Sequence, residues 1–191
     1  MTTLILVRHG QTDWNLERRY QGKTDIPLNG NGRRQAAHVA EQLRNAGLAA
    51  VYSSALGRAY VTASAIAAAH GLVAIKDARL NEIDQGEWEG LRHDEIAKRY
   101  AECLRCWEED PTSTCPPGGE SLAVIRERVL SFLKELTKKH PDGSVCVVGH
   151  KVTNATIKSE ILGLPIGQLM RQEPLHAGWE KIEIPNSRLR R

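Results

Sequence analysis

The stretch Leu4 to Asn15, LILVRHGQTDWN, constrains this chain more than any other. An apolar run with β-branched residues ends abruptly in Arg8, His9 and Gly10 and then in polar residues. That is the pattern of a buried strand delivering side chains to its carboxyl end, the edge where open α/β sheets bind their ligands. Arg8 offers a planar fork to a phosphate, His9 a nucleophile or base, and Gly10 a sharp backbone turn beside them. Taken alone, the tripeptide fits equally well a strand end with a surface Arg and a hydrogen-bonded His.

The pattern at Gly10 returns near the other end of the chain. SVCVVGHK contains a second buried strand, Val145 to Val148, with Gly149, His150 and Lys151 at its carboxyl end. Two strands that each discharge a His at one edge of a sheet can bring those rings together. Between them strand and helix alternate, which points to parallel βαβ units. A short turn of helix is expected at Asp13 to Arg19, a helix from about Gly32 to Ala46, a strand at Ala49 to Tyr52, and a helix from Leu56 to His70 capped by Ser53 and Ser54. A third strand is expected at Leu72 to Lys76 and charged helix from Arg92 to Cys106. The clearest amphipathic helix runs from Glu120 to His140, with Leu122, Ile125, Val129, Phe132, Leu133 and Leu136 as its core stripe. Further on come a helix at Thr153 to Leu162, a partly exposed last strand at Trp179 to Ile184, and a frayed, solvated tail NSRLRR.

The expected fold class is α/β, a three-layer α/β/α sandwich around a mostly parallel sheet. At 191 residues without a composition break, the chain is expected to form a single domain, 1–191. Within it, about 92–119 would be an insertion or lid over the site, because PTSTCPPGG is rich in Pro and Gly; a plain surface loop is the alternative. A formal charge of +3 is too small to argue for nucleic acid and suits anionic small molecules. The start of the chain lacks a basic leader and a long apolar run, so neither a signal peptide nor a membrane span is expected. Cys103, Cys106, Cys115 and Cys146 are too few and too unevenly placed for a disulfide framework, which makes a reducing, cytoplasmic setting the default. Three of them could be imagined as zinc ligands with His93, but the second half of a structural site is missing. The expectation is no metal and no cofactor.

Candidate binding residues fall on the loops. In YQGKTDIPLNGNG, Gln21, Gly22 and Lys23, with Asn15 before them, can reach a ligand or satisfy the loop's own backbone. Arg58 stands in the first turn of its helix, beside the strand's carboxyl end or in a surface ion pair. In LNEIDQGEWEG, Glu82, Asp84, Glu87 and Glu89 crowd around one large anchor, Trp88; one acid could donate a proton while the others stay solvated.

Together, LILVRHGQTDWN, YQGKTDIPLNGNGRRQA, YSSALGRAYVTA, LNEIDQGEWEG, PGGES and VCVVGH resemble the histidine phosphatase superfamily, the group that includes cofactor-dependent phosphoglycerate mutase. The resemblance implies a phosphoglycerate mutase-like fold and a phosphohistidine on His9. It implies that Arg8, Arg58 and His150 bind the phosphoryl oxygens with help from Asn15, and that Glu82 protonates the leaving oxygen. Fixed cations can hold the spreading charge of a transferring phosphoryl group without metal. His9 must be neutral on its attacking nitrogen, set by a hydrogen bond from its other N–H to a backbone carbonyl; His150 is more useful protonated. Glu82 must hold a proton near neutral pH, which requires partial burial or the nearby phosphate charge. Gln11 stands where the family often has Glu. Lys151 stands where many members have Gly, and either adds a cation to the substrate site or points away.

No cysteine is followed six positions later by Arg, and no Asp-x-Asp pair or Gly-x4-Gly-Lys-Ser/Thr loop is present. The short chain favours a phosphatase over a mutase, and a silent regulatory module would have lost a site residue. The expected partner is a small phosphorylated metabolite: α-ribazole phosphate, phosphoserine, phosphoglycerate or a broad set. A homodimer through the last strand is possible, with no nucleic acid and no membrane.

Overall fold

The computed structural model describes residues 1–172 and 174–185. The tail from Asn186 lies outside them. The strands are β1 (Thr2–Arg8), β2 (Leu48–Ser53), β3 (Ile75–Lys76), β4 (Ser144–Gly149) and β5 (Trp179–Ile184). The helices are α1 (Asp13–Leu16), α2 (Gly30–Gln42), α3 (Gly57–Ala68), α4 (His93–Arg99), α5 (Ala101–Glu109), α6 (Leu122–Lys139), α7 (Lys151–Leu162) and α8 (Ile166–Met170). The sheet order is β3-β2-β4-β1-β5, parallel except for β5, which runs antiparallel to β1.

The period of two along β1 divides the core. Leu4 and Leu6 face one layer with Val145, Val147, Tyr52, Phe132 and Trp88. Ile5 and Val7 face the other with Val148, Val51, Val39, Ala59, Ala63 and Ile66. Helices therefore cover both faces, giving the three-layer α/β/α arrangement. The small residues of α3 let it lie close to the sheet and to α2.

Several boundaries differ from the sequence pattern for local reasons. Helix α2 begins early because the Asn29 side chain accepts from Gly32 N at 2.8 Å, and after Leu43 the chain continues in turns. Ser53 and Ser54 do not cap α3 directly: Leu56 takes the N-cap position, and Ser54 Oγ accepts from Leu56 N at 3.2 Å. The third strand shrinks to Ile75–Lys76, paired with β2 alone, and Val73 is left 80% exposed. The segment expected as one helix from Arg92 breaks at Tyr100 (φ −134°, ψ 37°) into α4 and α5. Helix α6 starts at Leu122, because Glu120 is taken by Arg128 at 3.0 Å. The acidic loop holds two short 3-10 turns, Ala78–Leu80 and Gly86–Trp88.

The carboxyl end of β1 touches the start of α2 through two glycines. A Cβ on Gly10 would meet the Gly32 carbonyl oxygen at 2.5 Å, and one on Gly32 would collide with the Gln11 carbonyl. Both neighbours are backbone and cannot rotate away. Gly32→Ala should therefore destabilise the fold by about 2 kcal/mol or more. Gly30→Ala, which meets only Arg34 at 3.9 Å, should stabilise it by about 0.5 kcal/mol through helix propensity. Urea midpoints of the two variants check both signs.

Candidate active site

Parallel pairing of β1 with β4 puts Arg8 opposite Gly149. The next residues on each strand, His9 and His150, are thereby neighbours: their ring centroids are 5.0 Å apart, and His9 N donates to Gly149 O at 3.1 Å. His9 Nδ1 lies 2.7 Å from Gly10 O. A carbonyl only accepts, so Nδ1 carries the proton and Nε2 keeps its lone pair. This is the tautomer that a nucleophilic His9 requires. Gly10 itself is held by Thr62, whose hydroxyl accepts from Gly10 N at 3.1 Å and donates to Arg58 O at 2.9 Å.

Arg58, 1% exposed at the start of α3, is buried, with the half-exposed Asp25 carboxylate 3.8 Å from its guanidinium. Its guanidinium donates to Gly22 O at 2.7 Å and to Thr24 O at 2.8 Å. The loop that offers those carbonyls is fastened by Glu89, whose carboxylate accepts from Lys23 N at 2.7 Å, from Thr24 N at 2.9 Å and from the Thr24 hydroxyl. A side chain on Gly22, which has φ +54°, would collide with that carboxylate. Arg8, 7% exposed, donates to Pro174 O at 2.6 Å.

Glu82 is the buried acid of its loop, at 8% exposure. Its carboxylate sits on the amino terminus of α7, accepting from Val152 N at 3.2 Å, Thr153 N at 3.1 Å and Thr153 Oγ1 at 3.2 Å. Arg128 holds the Glu82 carbonyl at 3.4 Å and the Arg79 carbonyl at 2.6 Å. The remaining acids are engaged rather than merely solvated. Asp84 pairs with Lys23 at 3.1 Å, Glu87 accepts from the Tyr100 hydroxyl at 2.6 Å, and Glu89 is the clasp just described. Lys23 is thus drawn to Asp84 and is absent from the cavity wall.

A cavity of about 880 Å³ opens at this sheet edge. Arg8, His9, Asn15, Gln21, Gly22, Arg58, Glu82 and Lys151 all line it. His150 lies behind His9 with no solvent exposure, and neither ring nitrogen has a hydrogen-bond partner among the described residues. Asn15 and Gln21 each use the side-chain carbonyl on Thr12, at 3.0 Å. Sequence reasoning missed Gln85, Met170, Arg171 and His176, which line the cavity as well. His176 reaches it because antiparallel β5 returns the chain to β1: Ala177 N donates to His9 O at 3.2 Å, and the His176 ring is 6.2 Å from that of His9. From the 92–119 segment, Trp107, Glu108 and Pro111 form wall, whereas its cysteines do not. His93 pairs with Glu108 at 2.8 Å, and among the described residues no group of three or more His, Cys, Asp or Glu is placed to hold a metal ion.

Burial first, and then the Arg58 and Arg8 charges, hold His9 well below the usual imidazole pKa. The same causes, with His9 added, hold His150 well below it. The fold by itself thus favours a neutral His150, because burial strips its hydration and the guanidinium groups repel a further positive charge; the protonated ring is the expectation among phosphate oxygens. Burial also lowers the Arg58 pKa, opposed by Glu82, Asp25 and Glu89.

A family model for the histidine phosphatase superfamily, branch 1, matches residues 4–190. Phosphoserine phosphatase 1 of Hydrogenobacter thermophilus is 41% identical over 168 residues, which span 88% of this chain and 80% of that protein. A probable phosphoglycerate mutase of Klebsiella pneumoniae is 37% identical over 169 residues, 86% of this chain and 77% of that protein. Among solved structures, the mycobacterial glucosyl-3-phosphoglycerate phosphatase in complex with VO3 superposes with a TM-score of 0.87 at 33% identity, covering 95% of this chain and 90% of that one.

The neutral histidines make stability depend on pH. Their pKa values are depressed on folding, so the unfolded chain takes up protons first as pH falls below about 6.5. Stability is therefore full above that pH and is lost on the way down. His150→Asn cannot titrate, so its urea midpoint should fall less steeply than the wild-type midpoint between about pH 6.5 and pH 5; equal slopes would contradict the assignment.

Proposed function

The chain belongs to the histidine phosphatase superfamily, and on that premise we propose that it hydrolyses small phosphomonoesters without metal, through a phosphohistidine on His9. One observation carries the reading: His9 Nδ1 is pinned to Gly10 O at 2.7 Å, which leaves Nε2 as the nucleophilic nitrogen in a cavity that Arg8, Arg58 and Glu82 also line.

In the first step the Nε2 lone pair attacks phosphorus, the P–O ester bond breaks, and Glu82 gives its proton to the departing oxygen. In the second, water attacks phosphorus, the Glu82 carboxylate takes the water's proton, and the P–N bond breaks to release phosphate and restore His9. Arg8 and Arg58 supply fixed positive charge to the phosphoryl oxygens. His150 is buried beside His9, ring centroids 5.0 Å apart, and would meet the phosphoryl group only once it is on His9. A phosphoryl dianion there reverses the field that keeps the ring neutral, so the protonated form that suits phosphate binding is the one the substrate brings about. Asn15, Gln21, Gly22 and Lys151 act as the surrounding binding surface.

A phosphoglycerate mutase is the second reading, favoured by the name that several relatives carry. A mutase must shelter its phosphohistidine from water, whereas here Arg18, Glu108 and Arg171 on the cavity wall are exposed. That supports water as the acceptor. The free thiols of Cys103, Cys106, Cys115 and Cys146 support a reducing, cytoplasmic setting, and among the described residues no helix is long and apolar enough to cross a membrane.

His9→Ala should abolish both phosphate release and acid-labile phosphoenzyme, a loss of about 10³-fold or more. Glu82→Gln should slow alkyl phosphates by about 10²-fold or more, and p-nitrophenyl phosphate by less than about tenfold, because a good leaving group needs little protonation. EDTA should leave the rate unchanged. Phosphate release measured on a panel of esters, beside phosphoglycerate interconversion, separates the two readings: interconversion with little release would favour the mutase.

A further inference from the structure

Two thiols meet at the base of the segment that carries Trp107, Glu108 and Pro111 into the cavity wall, and the reaction at His9 uses neither. Cys103 stands on α5 and Cys115 on the loop that returns from it, and the Cys103 thiol donates to Cys115 O at 3.4 Å. No backbone hydrogen bond holds Cys115 among the described residues. The thiol contact is therefore the tie that closes the segment against α5. Beyond it the chain is fixed to the acidic loop, where Pro117 O accepts from Glu87 N at 2.9 Å and Glu120 N donates to Asp84 O at 2.9 Å.

A disulfide needs its two Cα atoms within about 7 Å. A sulfur in contact with the partner's own backbone leaves only side-chain rotation and a small shift of the loop to be made. Both thiols are half-buried and reduced, so an oxidant can reach them. The other two cysteines are worse placed. Cys106 Sγ lies 3.7 Å from the Glu102 carboxylate, whose charge opposes a thiolate, and Cys146 is fully buried in the core, where burial pushes its thiol pKa up. We propose that Cys103 and Cys115 are a redox modification site, which a hydroperoxide converts to a disulfide that fastens the wall segment to α5. One thiol gives up its proton and its sulfur attacks a peroxide oxygen; the O–O bond breaks, leaving a sulfenic acid and, for hydrogen peroxide, water. The second sulfur then attacks the first, the S–O bond breaks, and the hydroxide released takes the second thiol's proton to give another water. Two thiols lose two electrons to the peroxide, and a dithiol reverses the change by exchange. A transient bridge of this kind is compatible with a reducing compartment, and it holds whatever ester the cavity takes.

The test uses the full chain, oxidised with hydrogen peroxide and digested with trypsin without reductant. Arg105 lies between the two cysteines, so the peptides on either side of it should stay joined, and dithiothreitol should part them. Cys106→Ser should keep the joined pair, whereas Cys103→Ser and Cys115→Ser should each abolish it. In the Cys106→Ser chain, amide hydrogens of residues 107–114 should exchange about threefold or more slowly after oxidation than before it. That comparison also serves if either of the other variants folds poorly. A link lost in Cys106→Ser would assign the bridge to Cys103 and Cys106 and overturn the proposal. Thiols that end as sulfinic acid without any link would overturn it too. Exchange that is unchanged in the bridged chain would overturn the restraint of the wall.

Discussion

The site depends on the parallel register between β1 and β4. Because Arg8 stands opposite Gly149, the two strands end together, and each spends its next residue on a histidine. A slip of one residue would turn every side chain of β1 to the other face and exchange Leu4 and Leu6 for Ile5 and Val7. The apolar core therefore holds the geometry of the two rings. Antiparallel β5 closes the other side of β1 and returns His176 to the same place.

A second constraint is the burial of Arg58. A guanidinium at 1% exposure is tolerated only when its donors are met. Two of them are met by the carbonyls of Gly22 and Thr24, which obliges the loop between α1 and α2 to come down over the sheet edge. Glu89 then locks that loop through three donors, and Gly22 is the residue that leaves space for the carboxylate. The buried charge of Arg58 is thus held in place by a loop that Glu89, itself outside the cavity wall, fastens. The same arrangement depresses both histidines, and in this way couples the readiness of the nucleophile to the cations beside it.

Much of the site was legible in the residues because strand ends are short-range signals. An apolar run that stops at Arg8, His9 and Gly10, and another that stops at Gly149 and His150, mark one sheet edge without any knowledge of long-range contacts. The choice of Glu82 among four neighbouring acids came from the family resemblance; the structure buries its carboxylate on the amino terminus of α7. What escaped were roles fixed by partners distant in sequence. Nothing local distinguishes Glu89 as a clasp, Lys23 as the partner of Asp84, or Gln85 as a cavity residue. The single helix expected from Arg92 onward hid a break at Tyr100, where neither Gly nor Pro marks the chain.

By itself the sequence determined the alternation of strand and helix, the sheet edge that carries the chemistry, and the residue types delivered there, because these follow from hydrophobic period and from the abrupt end of apolar runs. Tertiary structure decided which groups share the cavity and in what state. Burial, and then the Arg58 charge, lowers the His150 pKa, and α5 presents Trp107 to the cavity while its Cys103 and Cys106 stand clear of it. Proximity and burial set these properties, and both are created only when segments far apart in the chain pack together.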